Sequence, residues 1–384
     1  GEDGTVRLWD VGYDGTIRAR EARMARHVGA VKALAFSPSG ESIVSGGDDR
    51  TLRVWNAEDG RYLGALLGEH NAPVTAIAFH PDGGHLVSAS EDSTLRVWDI
   101  KSRRQIGQPL AGHKGAVRSV AFRPDGNLLV SAGEDRTIVL RRPKAARGAD
   151  RPDYPIAKVL SEHSGGICCV AFLADRVGLA SGAWDGELRA WDTRAVDARE
   201  SKAEARGGPF EAYSRGLQSI AVARDGRVAS GSDGGGIALW DLAATASRAL
   251  GRPGDSASGV QASMTGAAPS ASPAAPFVSS VAVSRSGNRI AAGRADRIVR
   301  VWDIDPTGDP RWLADLKAPV KSWGVALSDD GNRLAAGGDD GIVRLWDIPG
   351  RRLIASSERL HGSMVWSVAF DPQGQRLASA SQDG

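Results

Sequence analysis

Cysteine is almost absent from this 384-residue chain, which has only two, Cys168 and Cys169, adjacent to one another. So few thiols cannot staple a fold, and stability has to come from burying apolar surface. Both lie in a run that reads as a strand, where successive side chains alternate between faces. The pair is therefore expected to point apart without forming a local disulfide, a pattern that suits a reducing compartment such as the cytoplasm. No apolar run approaches the ~20 residues of a membrane-spanning helix. Charge of one sign is lacking too: 48 basic side chains face 46 acidic ones. The positive surplus that non-specific phosphate binding needs is missing, so neither nucleic acid nor a membrane is an expected partner. Lysine is scarce, eight against 40 arginines, beside abundant alanine and glycine. A GC-rich bacterial genome accounts for that bias more simply than an arginine-specific chemistry. There is no Gly-rich phosphate loop and no Cys/His spacing of a metal site, so no cofactor or metal is expected.

What the chain does have is one phrase written seven times: TVRLWD, TLRVWN, TLRVWD, ELRAWD, GIALWD, IVRVWD and IVRLWD, carrying Trp9, Trp55, Trp98, Trp191, Trp240, Trp302 and Trp346. An eighth copy, TIVLRR, has Arg141 in the tryptophan slot. Steps between equivalent positions are 46, 43, 43, 50, 49, 62 and 44 residues, the spacing of a four-stranded propeller blade. The stretch from Val74 shows the unit. VTAIAF reads as a strand, and HPDG as a turn in which Pro81 sets φ and Gly83 permits a positive one. HLVSAS is a second strand, ended by a tight turn at Glu91 and Asp92. TLRVWD is a third, and the more polar RRQIGQPL a fourth. Strands so rich in Val, Ile, Leu and Ala suit sheets covered on both faces, as radially stacked blades are.

With Gly-His before the first strand, SxDG-like turns and a terminal Trp-Asp, the whole chain resembles a WD-repeat β-propeller. The resemblance implies an all-β fold and a structural hydrogen-bond tetrad in each repeat. Its histidines would be His27, His70, His113, His163 and His361. Its serines would be Ser45, Ser88, Ser131, Ser181 and Ser379. Its turn aspartates would be Asp49, Asp92, Asp135, Asp185 and Asp383, with Asp3 at the start, and the repeat tryptophans complete it. Taken singly, a Ser, a His and an Asp in register resemble a hydrolase triad. Five parallel copies argue for structure instead, since an enzyme needs one site. Repeats six and seven put Ala274 and Ala318 in the His slot and Ala292 and Ala336 in the Ser slot. Losing both partners avoids the roughly 1–3 kcal/mol cost of leaving one buried polar group unpaired. The fifth repeat has Tyr213 for His, keeps Ser230 and has Gly234 where Asp is expected.

Residues 1–384 read as a single propeller. The chain starts at a third strand and ends after a second, so VWSVAF and RLASAS are expected to join TVRLWD in a composite eighth blade. Seven blades, or a slice of a longer array, remain the alternative, because GEDG and SQDG at the two ends encode the same turn. Both ends fall inside a repeat, so the chain is read as a piece of a larger protein, and a leader segment stays open. Residues 142–153 form a basic loop, residues 196–209 a charged Ala-rich segment, and residues 251–276 a low-complexity insertion expected to be flexible.

Propellers of this family generally bind partners on the face that carries the tight turns and the start of each first strand. The pre-turn positions there include Asp48, Glu91, Glu134 and Asp339, a largely acidic rim broken by Trp184. Strand-opening positions are Lys32, Thr75, Arg118, Cys168, Gln218, Ser279, Trp323 and Trp366, with Phe277 and Met364 beside them. Trp184, Trp323 and Trp366 fall outside the repeat slot, so they are candidates for a hot spot binding a basic or Arg-containing peptide; the competing reading is packing around the channel. The strand arginines Arg7, Arg53, Arg96, Arg189, Arg300 and Arg344 read as blade-edge packing. Arg141, Arg142 and the basic loop read as one positive patch for an acidic partner. The expected function is a non-catalytic protein-protein interaction scaffold in a signalling or regulatory protein, with an N-terminal NTPase or kinase module implied by the phrasing. The alternative is an enzyme or small-ligand binder using the central channel.

Overall fold

A computed structural model describes residues 6–12, 16–19, 27–66, 68–143, 153–175, 177–197, 210–211, 216–241, 246–249, 276–305, 309–359 and 361–381. Its strands form eight four-stranded antiparallel sheets. The second blade has strands Val74–Phe79, His85–Ser90, Leu95–Asp99 and Arg104–Leu110, in the order the sequence predicts. Between the first two, Gly83 has φ of 72°, as its turn requires. The other complete blades begin at Val31, Val117, Ile167, Leu217, Val278 and Ser322.

The chain ends share the eighth blade. Strand Val6–Val11 lies between Ile17–Ala19 and Arg376–Ser381, and Val365–Phe370 completes the sheet. Register pairs Trp9 with Leu377. Strand Val31–Phe36 packs against Val74–Phe79 on one side and Val365–Phe370 on the other, so the ring is shut. The seven-bladed alternative is excluded. The duplicated end turns, with Asp3 and Asp383, lie outside the described residues, as do 144–152 of the basic loop, 198–209, and 251–275 of the insertion.

Every second strand is buried along almost its full length, covered by neighbours on both faces. Eight apolar clusters among the described residues fill the seams between adjacent blades. In seven of them the repeat tryptophan of one blade packs on the third strand of the blade before it, as Trp98 does on Leu52 and Val54. At the seam between the second and third blades the tryptophan slot holds Arg141, and Tyr154 joins the cluster instead, only 3% exposed. Arg141 is itself buried. Its guanidinium donates to the carbonyls of Tyr154, at 3.0 Å, and Ala111. Arg142 donates to the Val196 carbonyl. Arg141 is therefore no part of an exposed positive patch, and burial pulls its pKa down; Arg142 is half-buried, and 144–152 of the basic loop lie outside the described residues.

The first strands carry a second regularity, a β-bulge near their start. Val74 pairs with Ser90 and Ala76 with Ala89, leaving Thr75 unpaired, and the shift recurs in all eight blades. Strand alternation fails at that point. Cys168 and Cys169 sit on the fourth blade's bulge, and their sulfurs lie 3.0 Å apart rather than on opposite faces, with both thiols free.

Trp98 is fully buried and Trp184 is 44% exposed. Trp98→Ala should cost roughly 3–5 kcal/mol, whereas Trp184→Ala should stay within about 0.5 kcal/mol. Urea unfolding of the two variants measures both; equal losses would show that the repeat tryptophans do not hold the seams.

Candidate functional site

The histidines come first, because they look most like chemistry. His70 Nε2 lies 2.7 Å from Ser88 Oγ and Nδ1 lies 2.9 Å from Asp92. Trp98 Nε1 donates to the same Ser88 Oγ at 2.8 Å. A carboxylate can only accept, so it fixes the Nδ1–H tautomer; Nε2 then accepts the serine O–H and the serine oxygen accepts the indole N–H. Every polar atom along this relay is used. The same His–Ser and His–Asp bonds tie His27 to Ser45 and Asp49, His113 to Ser131 and Asp135, and His163 to Ser181 and Asp185. Across the two chain ends, Ser379 joins Trp9 to His361.

Near His163, Glu187 replaces the threonines Thr51, Thr94 and Thr137 of the other blades, and with Asp185 it brings three possible metal-ligand atoms within 4.8 Å. Both His163 nitrogens are already engaged, and Glu187 pairs with Arg189 at 2.9 Å. The trio is a variant tetrad.

Blades five to seven depart from this pattern in different ways. Ser230 still accepts from Trp240 at 2.7 Å, while Tyr213 lies outside the described residues. In the sixth blade Ala292 replaces the serine, and the buried Trp302 Nε1 has no partner. The paired loss of His and Ser is thus not fully compensated, because the indole keeps its donor; Ala274 is outside the described residues. In the seventh blade the turn aspartate, Asp340, turns to Arg344 at 2.5 Å. Three other strand arginines take carboxylates, Arg53 on Asp49, Arg189 on Glu187 and Glu162, and Arg300 on Asp315.

On the face of turns and strand starts, the predicted residues fall into two sectors. The acidic rim of blades one to three is internally paired. Lys32 bridges Asp48 at 2.8 Å and Glu91 at 3.3 Å, and Arg118 bridges Glu91 at 3.1 Å and Glu134. Three carboxylates against two cations leave one net negative charge, so the rim is an alternating chain rather than an acidic surface. Trp184 ends this arc, its indole lying over Gly166 close to the Glu134 backbone.

The other sector spans blades six to eight and is aromatic. Phe277 and Trp323 have ring centroids 5.5 Å apart, and Trp323 and Trp366 4.7 Å, both tilted. Trp366 is 41% exposed, and Phe277 and Trp323 are half-buried. Gly324 permits the closest contact: a Cβ there would meet the Trp366 carbonyl at 2.6 Å. Trp323 Nε1 donates to Asp339, and Lys321 Nζ stands 6.0 Å from the Phe277 ring centre. Met364 is half-buried, its carbonyl accepting from Ser381 Oγ at 2.8 Å. The strand-opening residues Thr75 and Ser279 are tied to the next blade, donating to the carbonyls of Val117 and Ser322. The order of hydroxyl residues at the bulge was the available signal for these ties.

The family model described as WD domain, G-beta repeat matches residues 21–56, 61–99, 104–141, 155–192, 270–303, 313–347 and 354–384. Protein HIR1 of Eremothecium gossypii is 35% identical over 74 residues, covering 16% of this chain and 9% of that protein. A chromatin assembly factor 1 component of Gallus gallus is 44% identical over 66 residues, 16% of this chain and 12% of that protein. The matches thus span about a tenth of those relatives' length. Among solved structures, the computationally designed Ika8 protein superposes with a TM-score of 0.72 at 24% identity, covering 94% of this chain and 96% of that one. U3-55K superposes at 0.60 with 19% identity, covering 93% and 97%. At such identities the two likenesses speak to fold alone.

The tetrads make stability depend on pH. Burial lowers the pKa of His70, His113 and His163 against the pull of their aspartates. Burial alone would raise Asp92, but bonds from Thr94, Asn71 N–H and His70 hold it below its ordinary value; similar bonds do so for Asp135 and Asp185. For both types the unfolded chain binds more protons, so stability is full at neutral pH and lost on acidification. The urea midpoint should fall as pH drops through about 6.5, and again from about 4 downward, where the unfolded chain's aspartates take up protons that the folded ones resist. A midpoint flat from pH ~7 to ~5 would contradict the histidine assignment.

Proposed function

This chain belongs to the WD domain, G-beta repeat family, and from that premise we propose that it is a non-catalytic scaffold that docks a protein or peptide partner on the aromatic sector of blades six to eight. One observation carries the reading: Trp366, Trp323 and Phe277 form a continuous, partly exposed ladder that no seam requires. Aromatic clusters of this kind concentrate binding energy at protein interfaces. The ring faces and Asp339 suit an apolar or cationic side chain, and Lys321 over Phe277 illustrates the second. A basic segment remains the proposed partner, drawn by this sector rather than by the self-paired rim. The repeated His, Ser and Asp side chains are consumed within tetrads, which supports a non-catalytic role.

The names of the chromatin assembly factor 1 component and of Ribosome assembly protein 4 from Chaetomium thermophilum, the latter 37% identical over 62 residues, agree with work inside multi-protein assemblies. These relatives are eukaryotic and lend nothing to a bacterial origin or to a linked NTPase or kinase module. No helix among the described residues is long and apolar enough to cross a membrane. A cytoplasmic setting is part of the proposal and rests on the two free thiols.

Trp323→Ala with Trp366→Ala should lower affinity for a captured partner by about 30-fold or more, the loss of a hot spot worth at least ~2 kcal/mol. Trp184→Ala should leave that affinity unchanged. Quantitative pull-down with wild type and both variants decides this, with circular dichroism confirming the fold; an unchanged partner set in the double variant removes the site.

A further inference from the structure

The bulge of the fourth blade holds a feature that scaffolding leaves unused. Ile167 pairs with Ala183 and Cys169 with Gly182, so Cys168 has no cross-strand partner of its own. Both sulfurs consequently turn toward one carbonyl: Cys168 Sγ lies 3.2 Å and Cys169 Sγ 3.8 Å from Gly182 O. A Cβ on Gly182 would stand 2.9 Å from Cys169 Sγ, so glycine leaves the room the pair occupies. Cys168 also reaches Leu217 O of the fifth blade at 3.2 Å. Thr75 and Ser279 make that same tie in their own blades with hydroxyls. Ser119, Ser219 and Ser280 occupy the position of Cys169 and accept backbone N–H groups of the following blade. The structural task at both positions is therefore met elsewhere by oxygen. Sulfur adds the soft, chelating and redox chemistry that a hydroxyl lacks, and both residues are partly exposed.

We propose that Cys168 and Cys169 form a bidentate thiol site for a trivalent, thiophilic centre of the organoarsenous class. A pyramidal three-coordinate centre, its bonds near right angles to one another, holds two sulfurs on one side and closer together than a tetrahedral centre does, which suits neighbours 3.0 Å apart. Tetrahedral zinc, with bonds of about 2.3 Å, would spread them to roughly 3.8 Å and needs two more donors. A linear two-coordinate ion would need them on opposite sides. The reaction is a condensation: R–As(OH)2 and two Cys–SH give R–As(S–Cys)2 and two H2O. Two As–O and two S–H bonds break, two As–S bonds form, the protons leave in the water, and arsenic stays trivalent. The neighbouring Cys169 thiol, and then burial, hold the Cys168 pKa well above its ordinary value. A protonated thiol is a poor target for peroxide, which needs thiolate, but this condensation uses the proton. The adduct would take both S–H groups from Gly182 O and Leu217 O, at the seam beside Trp184.

The full chain treated with phenylarsonous acid should gain one phenylarsenic group by intact mass and lose both titratable thiols. Excess monothiol should leave the adduct in place, and 2,3-dimercaptopropanol should strip it. Cys168→Ser and Cys169→Ser, whose hydroxyls match those of the neighbouring blades, should each bind about 100-fold more weakly or worse, the loss of an intramolecular second bond. Either variant suffices if the other fails to fold. No uptake by wild type, release of its adduct by monothiol, or a folded single variant that binds as tightly as wild type would overturn the proposal.

Discussion

The ring depends on what each third-strand indole does at two places at once. Its ring fills the seam against the preceding blade, and in five blades its N–H reaches a serine on the strand beside it. The apolar part joins blades; the polar part fixes the indole's orientation within its own sheet. Burying a large side chain with one donor costs free energy unless that donor is met. From this need the serine follows, then the histidine that accepts the serine's O–H, then the turn aspartate that orients the histidine. Trp9 with Ser379 shows the same contact closing the molecule, with residues 370 positions apart.

The departures from the pattern make physical sense one by one. Arg141 cannot fill a seam as an indole does, so Tyr154 supplies the ring and two carbonyls take the guanidinium. Ala292 offers no hydroxyl, so Trp302 keeps an unmet donor, and the sixth blade carries that cost. Where histidine is absent from the seventh blade, Asp340 finds an arginine. The changes at Arg141 and Asp340 restore packing or charge balance locally, whereas the one at Ala292 does not.

The two sectors of the partner face differ for a similar reason. Lys32 and Arg118 start first strands, and neighbouring blades bring their side chains between the carboxylates that precede the turns, so all but one of the negative charges is cancelled along the arc. Blades seven and eight have tryptophan at that position. An aromatic face carries no charge for a carboxylate to pair with, so the rings stack on each other and stay partly exposed.

The sequence by itself determined the blade and its strand order, because these repeat and repetition makes local contacts legible. The tetrads were expected from the family resemblance, and the packing of each tryptophan on the blade before it came from the structure. The sequence also named the aromatic residues that break the period. Only tertiary structure decided how the ring closes and which of those residues meet: Trp323 joins Trp366 and Phe277, while Trp184 stands apart. Pairing of the acidic rim, burial of Arg141 and the role of Tyr154 depend on side chains from neighbouring blades, distant in sequence and without a repeat to announce them. Cys168 and Cys169 are the sharpest instance. Strand alternation would send them apart, and a bulge shared by all eight blades turns both sulfurs toward one carbonyl.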